Sequence, residues 1–292
     1  MMRLLTILLL FSFTTHAQYI KQVRTMASGI KVGFGVHNPG ANTDGRPLIT
    51  VIYLHGIARN LPNNGSQFDT TTIFGVQHVT LENIPAQVKL APLPLRQVPG
   101  TVGSTYREKT AVIFPQCRYG QTWPVEYVWE MLDYIEENPT IYDVNRIILT
   151  GYSLGGFGVN IALADARCRD DIAGFFAVAP GGYLSGFPYA AVANSGVWYE
   201  TFHNVGDRLA PISVSDNLVA GINAQRPVMP VQYARLNYQP PIFNSNSHDY
   251  NNSYYDTTSN NDSWNMTNGN TWVNAESFYE RIFRLNKKHP HR

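Results

Sequence analysis

Four stretches of this chain read as strands: PLITVIYLHG from Pro47 (a continuous apolar run), TAVIFPQC from Thr110, VNRIILTGY from Val144 and IAGFFAVAP from Ile172. A strand with one solvated face alternates apolar and polar side chains, whereas a strand covered on both faces does not. Runs of this kind belong inside a parallel sheet with helices packed above and below it. The intervening segments have helical period. PVEYVWEMLDYIEEN puts Val128, Met131, Leu132 and Ile135 on one stripe, with Pro124 at its start and Asn138-Pro139 at its end. GGFGVNIALADAR, SDNLVAGINAQ and AESFYERIFRLNKK supply three more helices. QVRTMASGIKVGFGVH reads as a hairpin turning near Ser28-Gly29, and VWYETFHNVG and VQYARLNY as further strands. Strands alternating with helices define an α/β fold, with a mostly parallel central sheet flanked by helices on both faces. No linker divides the chain, so residues 18–292 are expected to form one domain.

The first residues, MMRLLTILLLFSFTTHAQ, carry Arg3, then an apolar run, then Thr15-His16-Ala17. This is the layout of a cleavable signal peptide over residues 1–17, and it predicts a secreted or periplasmic protein. The apolar run is short of the roughly 20 residues that span a bilayer, so no stable membrane insertion is expected after cleavage. Loss of Arg3 takes Lys+Arg from 22 to 21, against 21 Asp+Glu. A formally neutral protein lacks the basic footprint of nucleic-acid binding. Cys117 and Cys168 are the two cysteines, enough for one disulfide but not for a disulfide-built scaffold. Neither a CxxC pattern nor metal-ligand histidine spacing is present, so neither a metal nor a cofactor is expected.

The chemistry is concentrated at ILTGYSLGGFG, residues 148–158. Gly151-Tyr152-Ser153-Leu154-Gly155 fits G-x-S-x-G, preceded by the apolar strand and followed by the small-residue helix that this motif requires. There the serine stands on a strained strand-to-helix turn, and side chains two residues either side would collide. Ser153 is the candidate nucleophile. The Leu154 N–H, at the positive end of the next helix, is a candidate oxyanion donor. A second donor is expected after PLITVIYLHG, where Gly56 permits the turn and Ile57 offers its N–H. His55 reads as a structural hydrogen-bonding residue in that loop.

Serine needs a base, and in this arrangement acid and histidine follow it in that order. His16, His37, His55 and His78 precede Ser153, and His289 and His291 lie in the basic tail. His203 precedes the best acid and is assigned to packing at a strand end. His248, in the polar segment beyond the last strand, is the candidate base. Asp207, after a strand and Gly206, is the candidate acid that holds the imidazole tautomer. Asp165, Asp170 and Asp171 end the helix after the serine, Asp216 begins another, and Asp249 projects differently from its neighbour.

Taken together, LHG, FPQC, TWPVEYVWEMLDYIEEN, VNRIILTGYSLGG, FHNVGDRLAP and SHD resemble the α/β-hydrolase superfamily. More narrowly they resemble its secreted esterases of the polyhydroxybutyrate-depolymerase-like and feruloyl-esterase-like groups, and the predicted peptidases related to them. The resemblance covers roughly residues 48–250 and assigns nucleophile, acid and base to Ser153, Asp207 and His248. Ser247 stands where the family has Gly, Asn204 where it has Gly, and a polar insertion (243–271) separates His248 from the closing helix. The resemblance implies hydrolysis of carboxylic esters, including polyester or carbohydrate-linked ones. A serine peptidase of the same fold and a non-catalytic carbohydrate-binding module are the alternatives. Tyr152, Trp123, Trp198, Tyr250, Tyr254 and Tyr255 are candidates to line a substrate cleft.

Overall fold

The computed structural model describes residues 18–29, 31–42, 44–56, 96–97, 105–106, 110–117, 122–236, 248, 281–282 and 284–287. The expected leader, Ile57, nearly all of the 57–108 stretch, the 243–271 segment apart from His248, and most of the expected last helix lie outside these residues.

The apolar runs become the centre of an eight-stranded sheet. Strands β1 (Gln18–Thr25) and β2 (Lys31–Asn38) form the expected hairpin at one edge. Next come β3 (Leu48–Leu54), β4 (Arg96–Gln97), β5 (Thr105–Tyr106) and β6 (Thr110–Pro115). Strands β4 and β5 pair only with each other. Helix α1 (Val125–Glu136) precedes β7 (Tyr142–Tyr152), which leads into α2 (Leu154–Ala164) and α3 (Ala166–Asp171). The remainder is β8 (Gly174–Val178), α4 (Tyr189–Ser195), β9 (Trp198–Asn204), α5 (Ser213–Asn223) and β10 (Gln232–Leu236).

The sheet order is β1-β2-β6-β3-β7-β8-β9-β10. Pairing is antiparallel from β1 to β6 and parallel across all six strands from β6 to β10. The chain leaves β3 toward β6 on one side, whereas from β7 it proceeds to β8, β9 and β10 on the other. That reversal makes the carboxyl ends of β3 and β7 a topological switch point, where open α/β sheets form their binding crevices.

Side chains alternate between two cores, as a period of two demands. Ile52, Leu54, Ile147, Leu149, Phe175 and Ala177 face one, and Val51, Tyr53, Ile148, Phe176 and Val178 face the other. All five helices described supply side chains to the first core, α1 through the predicted stripe of Val128, Met131, Leu132 and Ile135. The second core is met by Ile282 in the helical turn near the carboxyl terminus. Each fully buried aliphatic or aromatic side chain here contributes roughly 1.5–3 kcal/mol of transfer free energy.

One local expectation changes, and the state of the cysteines, which the sequence leaves open, is defined. GGFGVNIALADAR is not one helix, because Asp165 turns extended (φ −83°, ψ 136°) and its carboxylate accepts the Cys168 N–H at 2.9 Å, capping α3. The two cysteines form no disulfide: both are buried free thiols. Among the described residues no helix is long and apolar enough to cross a membrane.

Candidate active site

The elbow at Ser153 is built by three adjacent strands. Leu54 of β3 pairs with Gly151 of β7, bringing the two strand exits side by side. A Cβ on Gly155 would lie 1.8 Å from the Leu54 carbonyl oxygen, and one on Gly151 would lie 2.5 Å from the Gly155 carbonyl. Only hydrogen at both positions lets α2 start this close to β3. Ser153 itself sits at φ 58°, ψ −116°, outside the regions an L-residue prefers. Such a conformation costs of order 1–3 kcal/mol and persists only when its surroundings fix it. Here they do: the Ser153 N–H donates to Val178 O of β8 at 2.9 Å, and its carbonyl accepts the Phe157 and Gly181 N–H groups, each at 3.0 Å. The half-buried side chain stands at the tip of the turn. Leu154 opens α2, so its N–H has no acceptor within the helix.

The exit of β3 is fixed by His55. Its Nε2 accepts the Cys117 backbone N–H at 3.2 Å, which leaves Nδ1 as the protonated nitrogen, donating to Gly56 O at 2.6 Å. Trp123 Nε1 donates to the His55 carbonyl at 3.1 Å, and its ring meets the imidazole edge-on at 4.9 Å. His55 thus has the structural role its sequence position indicates. Gly56 lies against the elbow, where a Cβ would come 3.3 Å from Ser153 Cβ. Ile57, the second oxyanion candidate, lies outside the described residues.

Asp207 and His248, 41 residues apart in sequence, meet with Nδ1 2.6 Å from Oδ2. A turn closed by the Asp207 N–H on Asn204 O (3.0 Å) brings the carboxylate back beneath the end of β9. Its Oδ1 accepts the Leu209 and Ala210 N–H groups, each at 2.9 Å. Burial pushes this carboxyl's pKa up, but hydrogen bonds from His203, His248 and the Ala210 N–H outweigh burial and hold it well below the usual carboxylate range. Asp207 is therefore an anion at neutral pH and can only accept. The proton of the 2.6 Å contact belongs to His248 Nδ1, which leaves Nε2 as the lone-pair nitrogen.

Tyr152, next to Ser153, joins this pair to the elbow. Its hydroxyl donates to the His248 carbonyl at 3.0 Å and its ring lies 4.9 Å from the imidazole, tilted by 33°. Of the aromatic cleft candidates, Tyr152 and Trp123 are buried, Trp198 is half-buried, and Tyr250, Tyr254 and Tyr255 lie outside the described residues. His203 also departs from its expected role. Rather than merely packing at a strand end, its Nε2 lies 3.4 Å from Asp207 Oδ2 and 2.8 Å from Ala210 O. The passed-over signal was the spacing His203-x-x-x-Asp207 across a turn.

Other acids have structural partners. Asp216 accepts from Tyr233 Oη (2.6 Å) and Arg235 Nε (3.1 Å), and Asp165 from Trp129 Nε1 (3.1 Å). A cavity of about 740 Å³ opens far from Ser153, at the amino ends of β8 and β9, beside Arg169, Trp198, Arg281, Arg284 and Lys287. Its cations face acids: Arg281 Nε is 3.0 Å from Glu200, and Lys287 Nζ is 3.5 Å from Asp171. Among the described residues no three His, Cys, Asp or Glu side chains are grouped to hold a metal.

No protein-family model matches this sequence, and no curated protein matches it. Solved structures resemble it in fold. A thermostable esterase superposes with a TM-score of 0.59 at 16% identity, over 92% of this chain and 63% of the esterase. A protein described as a carboxylesterase from Lactobacillus plantarum gives 0.50 at 15% identity, over 76% and 88%. An acylaminoacyl peptidase from Pyrococcus horikoshii gives 0.52 at 10% identity, over 87% and 43%. The chain thus spans less than two thirds of the first and less than half of the third. The fold shared with these proteins is the α/β-hydrolase fold.

Proposed function

We propose that this chain, an α/β-hydrolase by fold, is an exported serine hydrolase that cleaves carboxylic esters through an acyl-enzyme. One observation carries the reading: His248 Nδ1 lies 2.6 Å from a carboxylate that stays ionised, while Tyr152 ties the same histidine to the strained serine elbow. In this reading His248 Nε2 accepts the Ser153 proton as Oγ adds to the ester carbonyl. The Asp207 carboxylate then stabilises the imidazolium without taking its proton. The oxyanion is held by the Leu154 and Ile57 N–H groups, donors whose loss in related sites costs about 10²–10³ in rate. The imidazolium protonates the departing alkoxide, and water, deprotonated by the same nitrogen, releases the acid and restores Ser153.

The single domain over 18–292 and cleavage of residues 1–17 complete the proposal. The first rests on the absence of a dividing linker in the sequence, the second on the charge, apolar run and small residues of the leader. The expected partner is an ester, with polyester and carbohydrate-linked esters as the classes to test first. A serine peptidase is the second reading, favoured by the likeness to the acylaminoacyl peptidase.

A fluorophosphonate probe should label the wild-type protein and not Ser153→Ala. The same variant should lose p-nitrophenyl ester hydrolysis almost completely, since removal of the nucleophile from such a site costs about 10⁶ in kcat. Wild-type protein that escapes labelling would favour a carbohydrate-binding module. Turnover of peptide anilides faster than of esters at matched concentration would favour the peptidase.

A further inference from the structure

We propose that His203 is a second imidazole acting on the catalytic carboxylate: a positioning residue that fixes Asp207 and thereby sets the basicity of His248. The proposal rests on the Ser153–His248–Asp207 reading above and extends it to a residue that the order of acid and base excludes.

The protonation of His203 follows from its neighbours. Ala210 O, 2.8 Å from Nε2, can only accept, so Nε2 carries a proton. The same nitrogen lies 3.4 Å from Asp207 Oδ2, so the positive edge of the imidazole faces the carboxylate beside the hydrogen bond to Ala210 O. Nδ1, 2.8 Å from Ser215 Oγ, accepts the serine proton from α5. Ser215 Oγ lies 3.3 Å from Thr201 Oγ1, whose own proton is directed to Ala177 O at 3.0 Å. A chain of side chains across β8, β9 and α5 therefore holds the His203 ring in one orientation, and the imidazole is fully buried.

Asp207 thus meets two backbone N–H groups on Oδ1 and two imidazoles on Oδ2, His248 in hydrogen bond at 2.6 Å and His203 in electrostatic contact at 3.4 Å. The backbone pair alone leaves the plane of the carboxylate free to tilt about Oδ1. Contacts at Oδ2 from both β9 and the His248 segment fix that plane and aim one lone pair at His248. The second donor also draws charge from Oδ2, which tempers the pull of the carboxylate on an imidazolium. Other groups on the packed elements are the Asp216 carboxylate of α5, with Tyr233 and Arg235 of β10 bonded to it. Both of these bonds are made to Asp216.

Two variants and one wild-type measurement test this. His203→Phe keeps the ring volume and removes both nitrogens, whereas in His203→Gln the amide N–H₂ can reach the positions Nε2–H serves. His203→Phe should lower kcat severalfold with KM unchanged. The acidic limb of its kcat/KM profile should move to higher pH, because the bare carboxylate favours imidazolium. His203→Gln should recover most of the rate and the original limb. Should His203→Phe not fold, ¹⁵N-edited spectra of the wild type decide. The His203 Nε2 proton resonance should shift as His248 titrates. A His203 resonance blind to that titration would overturn the proposal, as would a folded His203→Phe with unchanged limb and kcat. Fluorophosphonate labelling of Ser153 separates the two failures: absence of labelling removes the hydrolase reading itself, while labelling with an inert His203 removes only this inference.

Discussion

Gly155→Ala sets two physical effects of opposite sign against each other. Position 155 is in the first turn of α2, and on helix propensity alone alanine stabilises relative to glycine by up to about 1 kcal/mol. Packing says the reverse. The new Cβ would lie 1.8 Å from Leu54 O and 2.8 Å from His55 O, whereas real Cβ atoms essentially never come within 3.0 Å of a neighbour. The elbow and β3 must therefore separate by at least 1.2 Å, and both atoms in the way are backbone of a central strand exit. Overpacking of this kind costs typically 1–3 kcal/mol. A displacement of about 1 Å at a reacting group can cost about 10² in rate. The same reasoning orders a series, since the shortfalls are smaller for Gly151 (0.5 Å, from 2.5 Å) and Gly156 (0.3 Å, from 2.7 Å to Val178 O). Ester hydrolysis and urea midpoints of the three alanine variants should rank Gly155 as most damaged, then Gly151, then Gly156. If Gly155→Ala is more stable than wild type, or keeps kcat/KM within about threefold, the steric account of the motif is wrong.

Tyr152→Phe removes only the hydroxyl that donates to His248 O; loss of that buried bond should cost about 1 kcal/mol in urea unfolding and lower kcat severalfold, with fluorophosphonate labelling slowed in proportion. Because its folded pKa is depressed, Asp207 contributes stability that is present above the unfolded carboxylate pKa near 4 and lost as pH falls toward the folded value. The thermal midpoint should therefore drop below about pH 4, and Asp207→Asn should be destabilised at pH 7 with a shallower acid decline. An unaltered acid slope in that variant would separate Asp207 from the acid transition.

The central strands were readable because burial on both faces writes itself as unbroken apolar sequence, and α1 because its stripe is regular. The boundary between α2 and α3 was not, since Asp165 looks like a solvated helical residue until its carboxylate is seen capping Cys168. Helix α4 escaped notice because YAAVANS is only two turns long and is ended by Gly196 in the left-handed region (φ 65°). At the site, Ser153 and the small residues around it are local and legible. The approach of His248 to Asp207 is suggested by chain order, yet its geometry depends on a turn that only coordinates reveal. The same chain-order rule hid His203, whose contact with Asp207 comes from the chain doubling back after Asn204. Tyr152 read as a possible cleft residue because hydrophobic character does not say which way a ring faces.

The two thiols bear on the compartment in which such a chain could work. Cys117 lies beneath the β3 exit, its backbone N–H held by His55 and its Sγ near Thr122 O, while Cys168 is enclosed in α3. Burial alone pushes the Cys117 thiol up to about 12, and burial reinforced by the Asp165 and Asp171 carboxylates raises that of Cys168 as well. At neutral pH almost no thiolate exists to attack a disulfide or an oxidant. The folded architecture therefore carries no disulfide for a reducing environment to break, and its two thiols stay enclosed in an oxidising one.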